Sequence, residues 1–218
     1  MMDNALNTGT KAVVSTNGFT IKSAQELECM RRAGRVVAVV LGVVRQAARA
    51  GVSTRELDLV AEREIRRLGA KPSFKGYRGF PATICTSLNE EIVHGIPGDR
   101  VLREGDLLKV DAGAIVEGFQ GDAAITIGVG KVSREAERLI EATREALEAG
   151  IKEAKEGARI GDIAAAIQGF AEGRGYSVVR EYVGHGIGRA LHEEPQVPNY
   201  GSPGKGALLR KGTTIAIE

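Results

Sequence analysis

Residues 107–129, LLKVDAGAIVEGFQGDAAITIGV, constrain this chain more than any other stretch. Apolar residues fill most of the segment and Val116-Glu117-Gly118-Phe119 carries a turn signal, so it reads as a β-hairpin bearing Asp111 and Asp122. A turn centred on Val116-Glu117 sets the two aspartates directly opposite each other, and one centred on Glu117-Gly118 makes them diagonal neighbours. Side chains alternate with period two, and moving the turn centre by one residue shifts the pairing by two. Both registers therefore put the carboxylates on one face. Like charges within roughly 4.5–8 Å on a half-buried sheet repel, and need a proton or a cation between them. The competing reading is a pair of exposed aspartates at strand ends.

A chain of 218 residues, 43% of them hydrophobic, can bury one sizeable core or two joined ones. Its net charge of +2, few aromatic residues and absence of Trp give no signature of a nucleic-acid binder. Val36 to Val44 is the most apolar stretch, too short to span a membrane and bounded by Arg35 and Arg45. The polar residues 1–20 lack the hydrophobic segment of a secretory signal. Two cysteines, Cys29 and Cys85, fit a reducing cytoplasm better than a disulfide framework. With only three histidines, the place of each carries information.

Residues 1–21 read as a flexible tail. Ser23-Ala24-Gln25-Glu26 forms a capping box opening a helix that runs to about Ala50 and is closed by Gly51. Ser53-Thr54-Arg55-Glu56 opens a second, which Gly69 ends. From Pro72 to Val93 short strands and turns are expected, with His94 between a strand-like Ile92-Val93 and the turn Gly95-Ile96-Pro97. Helical periodicity returns from Ser133 to about Lys155 and from Ile160 to Gly173. Residues 176–183 read as a strand, and 184–206 as a Gly- and Pro-rich loop holding His185 and His192.

An internal repeat joins two stretches, about 51–129 and 157–218. Gly51 through Gly69 aligns with Gly157 through Gly175 at an offset of 106, and Leu102-Arg103-Glu104-Gly105 aligns with Leu209-Arg210-Lys211-Gly212 at 107. The latter offset carries Val110-Asp111 onto Ile217-Glu218. A duplicated α/β unit would turn Asp111 and Glu218 toward one central site. Because TTIAIE reads as a strand that stops at residue 218, the folding unit is expected to lack its last strands.

The ionisable set is then His94, Asp111, Asp122, His185, His192 and Glu218. Carboxylates with few imidazoles suit hard or borderline divalent ions, and no HExxH helix motif is present. Each histidine alone would pass for an ordinary core or loop residue. Their surroundings argue otherwise: Asn89-Glu90-Glu91-Ile92-Val93-His94-Gly95-Ile96-Pro97 and Gly184-His185-Gly186-Ile187-Gly188-Arg189-Ala190-Leu191-His192-Glu193-Glu194-Pro195.

On these strings, together with Gly76-Tyr77-Arg78-Gly79-Phe80-Pro81, the eleven-residue spacing of Asp111 and Asp122, and Val179-Arg180-Glu181-Tyr182-Val183-Gly184-His185, the chain resembles the type I methionine aminopeptidases over about residues 22–218. The resemblance implies an α/β (α+β) pita-bread fold: two pseudo-symmetric halves around a dinuclear metal centre. It implies two divalent ions (Mn, Fe, Co, Zn or Ni). Asp111 would chelate one, Asp122 bridge both, and His185 with Glu218 hold the other, with a further bridging glutamate beyond residue 218. Glu218 would exchange the proton between nucleophilic water and leaving amine, His192 donate to the substrate carbonyl, and His94 hydrogen-bond near the scissile amide. Tyr77, Phe80 and Cys85 would wall the methionine pocket, with Phe74 and Leu191 beside them. Without the resemblance Tyr77, Phe80 and Cys85 would pass for core. The implied activity is removal of the initiator methionine from nascent peptides by a cytoplasmic monomer in transient contact with the ribosome, with a small second residue preferred. Two rivals stand: a proline-directed aminopeptidase of the same fold, and a noncatalytic binding module that has lost its metal.

Overall fold

The computed structural model describes Val13–Val14 and residues 19–218. Much of the expected tail lies outside the described residues. Where it is described, Val13–Val14 (β1) pairs antiparallel with Thr20–Ile21 (β2), and Phe19 is buried.

Both expected capping boxes form. Ser23 and Glu26 exchange hydrogen bonds at the start of α1 (Ala24–Ala47), as do Ser53 and Glu56 at the start of α2 (Thr54–Arg67). Helix α1 ends three residues before the expected Ala50, because Ala48 already adopts extended backbone. After Lys71–Pro72 (β3) and a short 3₁₀ turn over Tyr77–Gly79 come β4 (Ile84–Leu88), β5 (Leu107–Val116) and β6 (Phe119–Gly128). Strand β5 is central. Strand β6 pairs along one edge over its full length, so β3 and β4, which meet opposite ends of β5, share the other edge. Glu117 and Gly118 both have positive φ, 51° and 80°, which is the type I′ turn that suits a two-residue hairpin loop. The second of the two expected registers is the one formed: Asp122 lies across from Gly113, and Asp111 from Ala124.

Alternation along β5 separates core from site. Leu108, Val110, Ala112 and Ala114 are fully buried in one cluster with Val37, Val40 and Val44 of α1 and Leu57, Ala61 and Ile65 of α2. Each fully buried aliphatic side chain of the larger kind contributes about 1.5–3 kcal/mol, so the two-helix layer fixes which face of β5 points inward. Asp111 and Gly113 belong to the opposite face, and so does Asp122 across from Gly113.

The second lobe begins with α3 (Arg134–Glu153) and α4 (Ile160–Gly173) and continues into a three-stranded antiparallel sheet. Its middle strand is β7 (Gly184–Gly186), flanked by β8 (Glu193–Val197) and β9 (Ile215–Ala216). A smaller core joins Ala146, Ile160, Ile163, Ile167, Val197 and Leu209. One hydrogen-bond pattern occurs in both lobes. Gly51 N donates to Leu102 O and Leu102 N to Val52 O. Gly157 N likewise donates to Leu209 O and Leu209 N to Ala158 O.

Four sequence expectations are corrected. Residues 176–183 form no strand, because no ladder partner meets them among the described residues, and a β-rich composition does not make a strand without one. Ile92 and Val93 are likewise unpaired and exposed. The expected loop 184–206 instead contains β7 and β8. Only Ile215–Ala216 of the closing TTIAIE pairs as a strand. Among the described residues no helix is long and apolar enough to cross a membrane.

Candidate metal centre

Strand β6 supplies Asp122, β7 supplies His185, and Glu218 follows β9. One donor atom from each lies within 4.8 Å of the others. His185 Nε2 is 3.3 Å from Glu218 Oε1 and 3.6 Å from Asp122 Oδ2. Donors held ~2.1 Å from one ion sit about 3–4.2 Å apart, so the spacing suits a shared cation.

His185 is poised as a ligand. It is buried, and its Nδ1 lies 2.8 Å from the Gly186 carbonyl. A carbonyl can only accept, so Nδ1 carries a proton, and Nε2, which would offer its lone pair to a cation once deprotonated, faces the two carboxylates. Nε2 is buried without any hydrogen-bond partner among the described residues. Such an orphaned atom is costly unless something else meets it. With no cation present, burial pulls the His185 pKa down, but the carboxylates of Asp122 and Glu218 and the Gly186 carbonyl outweigh burial and raise it to about 10.

Asp111 stands outside the group of three yet is electrostatically part of it. Burial, and then the charges of Asp122 and Glu218, push its carboxyl well above the usual range. Carboxyl groups crowded in this way cannot all ionise in a protein interior without a positive partner. The orphaned imidazole nitrogen and the crowded carboxylates both fit a divalent cation, with O and N donors of the borderline class.

His192 adjoins this cluster. Its ring centroid is 4.3 Å from that of His185, and its Nδ1 is 2.9 Å from the Tyr77 hydroxyl. Burial and then His185 lower its pKa. Tyr77 also stacks on the His192 ring, at 5.5 Å between centroids. His94 lies in an exposed loop with left-handed backbone (φ 61°) and its ring edge-on to Tyr182 at 6.0 Å. A non-glycine residue held in that conformation marks local strain.

The five expected pocket residues come together. Phe74, Cys85 and Leu191 form a buried cluster with Ile187, and Tyr77, Phe80 and Met30 pack against it. Strand register ties this cluster to the carboxylates, since Cys85 pairs with Asp111. Burial and then the charges of Asp111 and Asp122 push the Cys85 thiol up to about 12, which keeps it protonated and suits an apolar neighbourhood. Ile187 and Met30 were not singled out in the sequence. Ile187, two residues after His185, was within reach of that reasoning, whereas Met30 looked like any apolar position of an amphipathic helix.

The model of metallopeptidase family M24 matches residues 28–218. The methionine aminopeptidase of Clostridium acetobutylicum is 53% identical over 199 residues, covering 91% of this chain and 80% of that protein. The crystal structure of methionine aminopeptidase from Thermotoga maritima superposes with a TM-score of 0.89 at 46% identity, covering 90% of this chain and 80% of the other. Prolidase from Pyrococcus furiosus, at 24% identity and a TM-score of 0.79 over 90% of this chain and 56% of its own, shares the fold. The chain belongs to metallopeptidase family M24.

Proposed function

We propose that this protein is a methionine aminopeptidase, which removes the first methionine of nascent proteins and peptides when the second residue is small. The observation that carries this reading is the junction of two features. The Asp122, His185 and Glu218 donors open beside an apolar cluster of Phe74, Cys85, Ile187 and Leu191, with His192 between them. An unbranched thioether suits a wall of aromatic rings, a neutral thiol and aliphatic side chains.

The site is proposed to be dinuclear, with Asp111 joining Asp122, His185 and Glu218 in holding two divalent ions of the Mn, Fe, Co, Zn or Ni group. Bound cations supply Lewis acidity there, lowering the pKa of a water and polarising the scissile carbonyl. The protein's own groups do the rest. If the Tyr77 hydroxyl donates to His192 Nδ1, His192 Nε2 carries its proton outward and donates to the substrate carbonyl as negative charge develops on it. Glu218, with its side chain 49% exposed beside the buried imidazole, takes the proton from the nucleophile and returns it to the leaving amine. His94 hydrogen-bonds near the scissile amide. Phe74, Tyr77, Phe80, Cys85 and Leu191 exclude water from the methionine side chain.

The same proposal places the activity in the cytoplasm, where the free thiols of Cys29 and Cys85 are at home, in a monomer touching the ribosome only transiently. It also treats the shared hydrogen-bond pattern of the two lobes as the mark of a duplicated unit. Turnover of Met-Ala-Ser with and without Mn²⁺ tests the function. Metal-dependent release of methionine is expected. Preferred cleavage before proline would favour the proline-directed rival, and binding of peptide without cleavage would favour the noncatalytic module.

A further inference from the structure

Lys22, just before α1, is nearly sealed from solvent, with a side chain only 4% exposed. Its Nζ donates to Glu193 Oε2 at 2.7 Å and to Thr20 Oγ1 at 2.6 Å, and Thr20 Oγ1 donates to the same Glu193 oxygen at 2.7 Å. Glu193 directly follows His192. Its other oxygen accepts from the Ala190 backbone amide at 3.2 Å, so the carboxylate closes the turn 190–193 that presents Leu191 and His192. A Cβ on Gly188 would come within 2.6 Å of both Glu193 Oε1 and Lys22 Cε, so the ion pair packs directly on the backbone of the preceding turn. The backbone of Lys22 also reaches the turn that leads into β9. Its N–H donates to the Gly212 carbonyl at 2.9 Å, in the turn before β9 and Glu218.

A buried ammonium is costly, and a pair in this position does little for stability that an apolar pair could not do. What it does supply is direction, because one charged residue fixes two turns that each lead to a reacting group. We infer that Lys22 is a positioning residue, which through Glu193 sets the reach of His192 toward the substrate. This rests on the methionine aminopeptidase reading for the role of His192, but the geometry of the staple does not depend on it.

The test combines a mutant cycle with hydrogen exchange on the full protein. Lys22→Met is expected to lower kcat for Met-Ala-Ser by about ten- to a hundredfold, the range for misplacing a reacting group. Lys22→Arg, which keeps a charged donor, should recover most of the loss. Calorimetric Mn²⁺ affinity should change by less than about threefold, since the ligands of the ion are untouched. In a His192→Ala background Lys22→Met should cost little more, because the two act as one unit. An equal further loss in that background, or a parallel loss of metal, would overturn the inference and make Lys22 a general structural residue. If Lys22→Met does not fold, Lys22→Met with Glu193→Gln leaves no unpaired charge. That double variant folded but slow supports the inference, and as fast as wild type overturns it. Amide exchange at 188–193 should quicken in Lys22→Met while β5 and β6 stay protected, and unchanged exchange there would also overturn it. The exchange result is readable whether or not the wild type cleaves methionine, so failure of the functional reading stays separate from failure of the staple.

Discussion

In the first lobe two ten-residue strands run side by side under a two-helix layer, whereas in the second a three-residue strand meets a two-residue one. Each sheet nevertheless presents donors to one cluster. The difference lies in how the donors are held. Asp122 is fixed by a full antiparallel ladder and the apolar core behind it. His185 and Glu218 are placed by short pairings and by polar staples that come from the first lobe. Besides Lys22, these are Gln120, whose N–H donates to Gly188 O and whose side chain bridges Ser73 and the Arg189 carbonyl, and Glu26, paired with Arg189. One lobe behaves as anvil and the other is clamped to it, which places rigidity on the Asp122 side of the site and adjustability on the side of His185 and Glu218.

The largest expected effect is on the rigid side. Asp122→Asn removes one anionic oxygen from a cluster whose geometry the hairpin cannot relax, so Mn²⁺ affinity should fall by more than the roughly 10–100-fold seen for residues that only support a ligand. Methionine release should vanish, with the fold retained. Calorimetric titration beside circular dichroism measures both, and an Asn variant that binds and turns over normally would remove Asp122 from the site.

Next comes His192→Ala on the clamped side. If that lobe contributes through orientation of a donor, turnover should fall about 10²–10³-fold, the range for losing one oxyanion donor, while bound metal stays near the wild-type value. Stoichiometric loss of metal on titration would make His192 a ligand.

Paired glycine substitutions set the two lobes against each other. A Cβ on Gly121 would lie 2.6 Å from the Ala33 carbonyl carbon in α1, and neither a helix nor a ten-residue ladder yields easily. Gly121→Ala should therefore cost about 1–3 kcal/mol of global stability. A Cβ on Gly184 would run into the Ala216 carbonyl of β9, and that short strand can move away. Gly184→Ala should shift the urea midpoint less but weaken Mn²⁺ binding by about tenfold, through displacement of Glu218. Equal effects of the two substitutions on midpoint and on affinity would erase the contrast between the lobes.

The same contrast explains what could be read from the sequence. The hairpin was legible because ten-residue strands with a type I′ turn leave a strong period-two pattern, and helix starts were legible from reciprocal Ser–Glu caps. Strand β7 was not, for a definite reason. Gly184 and Gly186 lie so close to the Ala216 and Glu194 carbonyls that only glycine fits, and a strand made of Gly-His-Gly looks like a loop. Val178 and Val179 misled in the opposite direction, since β-branched residues suggested a strand that has no partner among the described residues. The three candidate metal donors, Asp122, His185 and Glu218, were recoverable as residues, two of them through the repeat and the hairpin. The staples were not, because Lys22 and Glu193 are 171 positions apart and neither stands in a pattern.

The smallest expected effect tests whether the clamped lobe depends on charge. Burial alone would raise the Glu193 carboxyl above its ordinary 4.5, but the Lys22 ammonium and the Thr20 hydroxyl outweigh burial and hold it lower. A depressed carboxyl means that the unfolded chain takes up its proton first as the pH falls. The stabilisation is thus fully present above about 4.5 and is lost as the pH drops through the lower folded value. The wild-type urea midpoint should decline over that acid window, and Glu193→Gln, which has no proton to gain, should decline less steeply there while starting from a lower midpoint at pH 7. Apolar packing, which dominates the first lobe, has no such titration. Amide exchange across the window should accordingly quicken at 188–193 before it does along β5 and β6. Parallel midpoint curves for the two proteins would mean that Glu193 contributes nothing to acid sensitivity, and that the clamp on His192 is held by shape and not by charge.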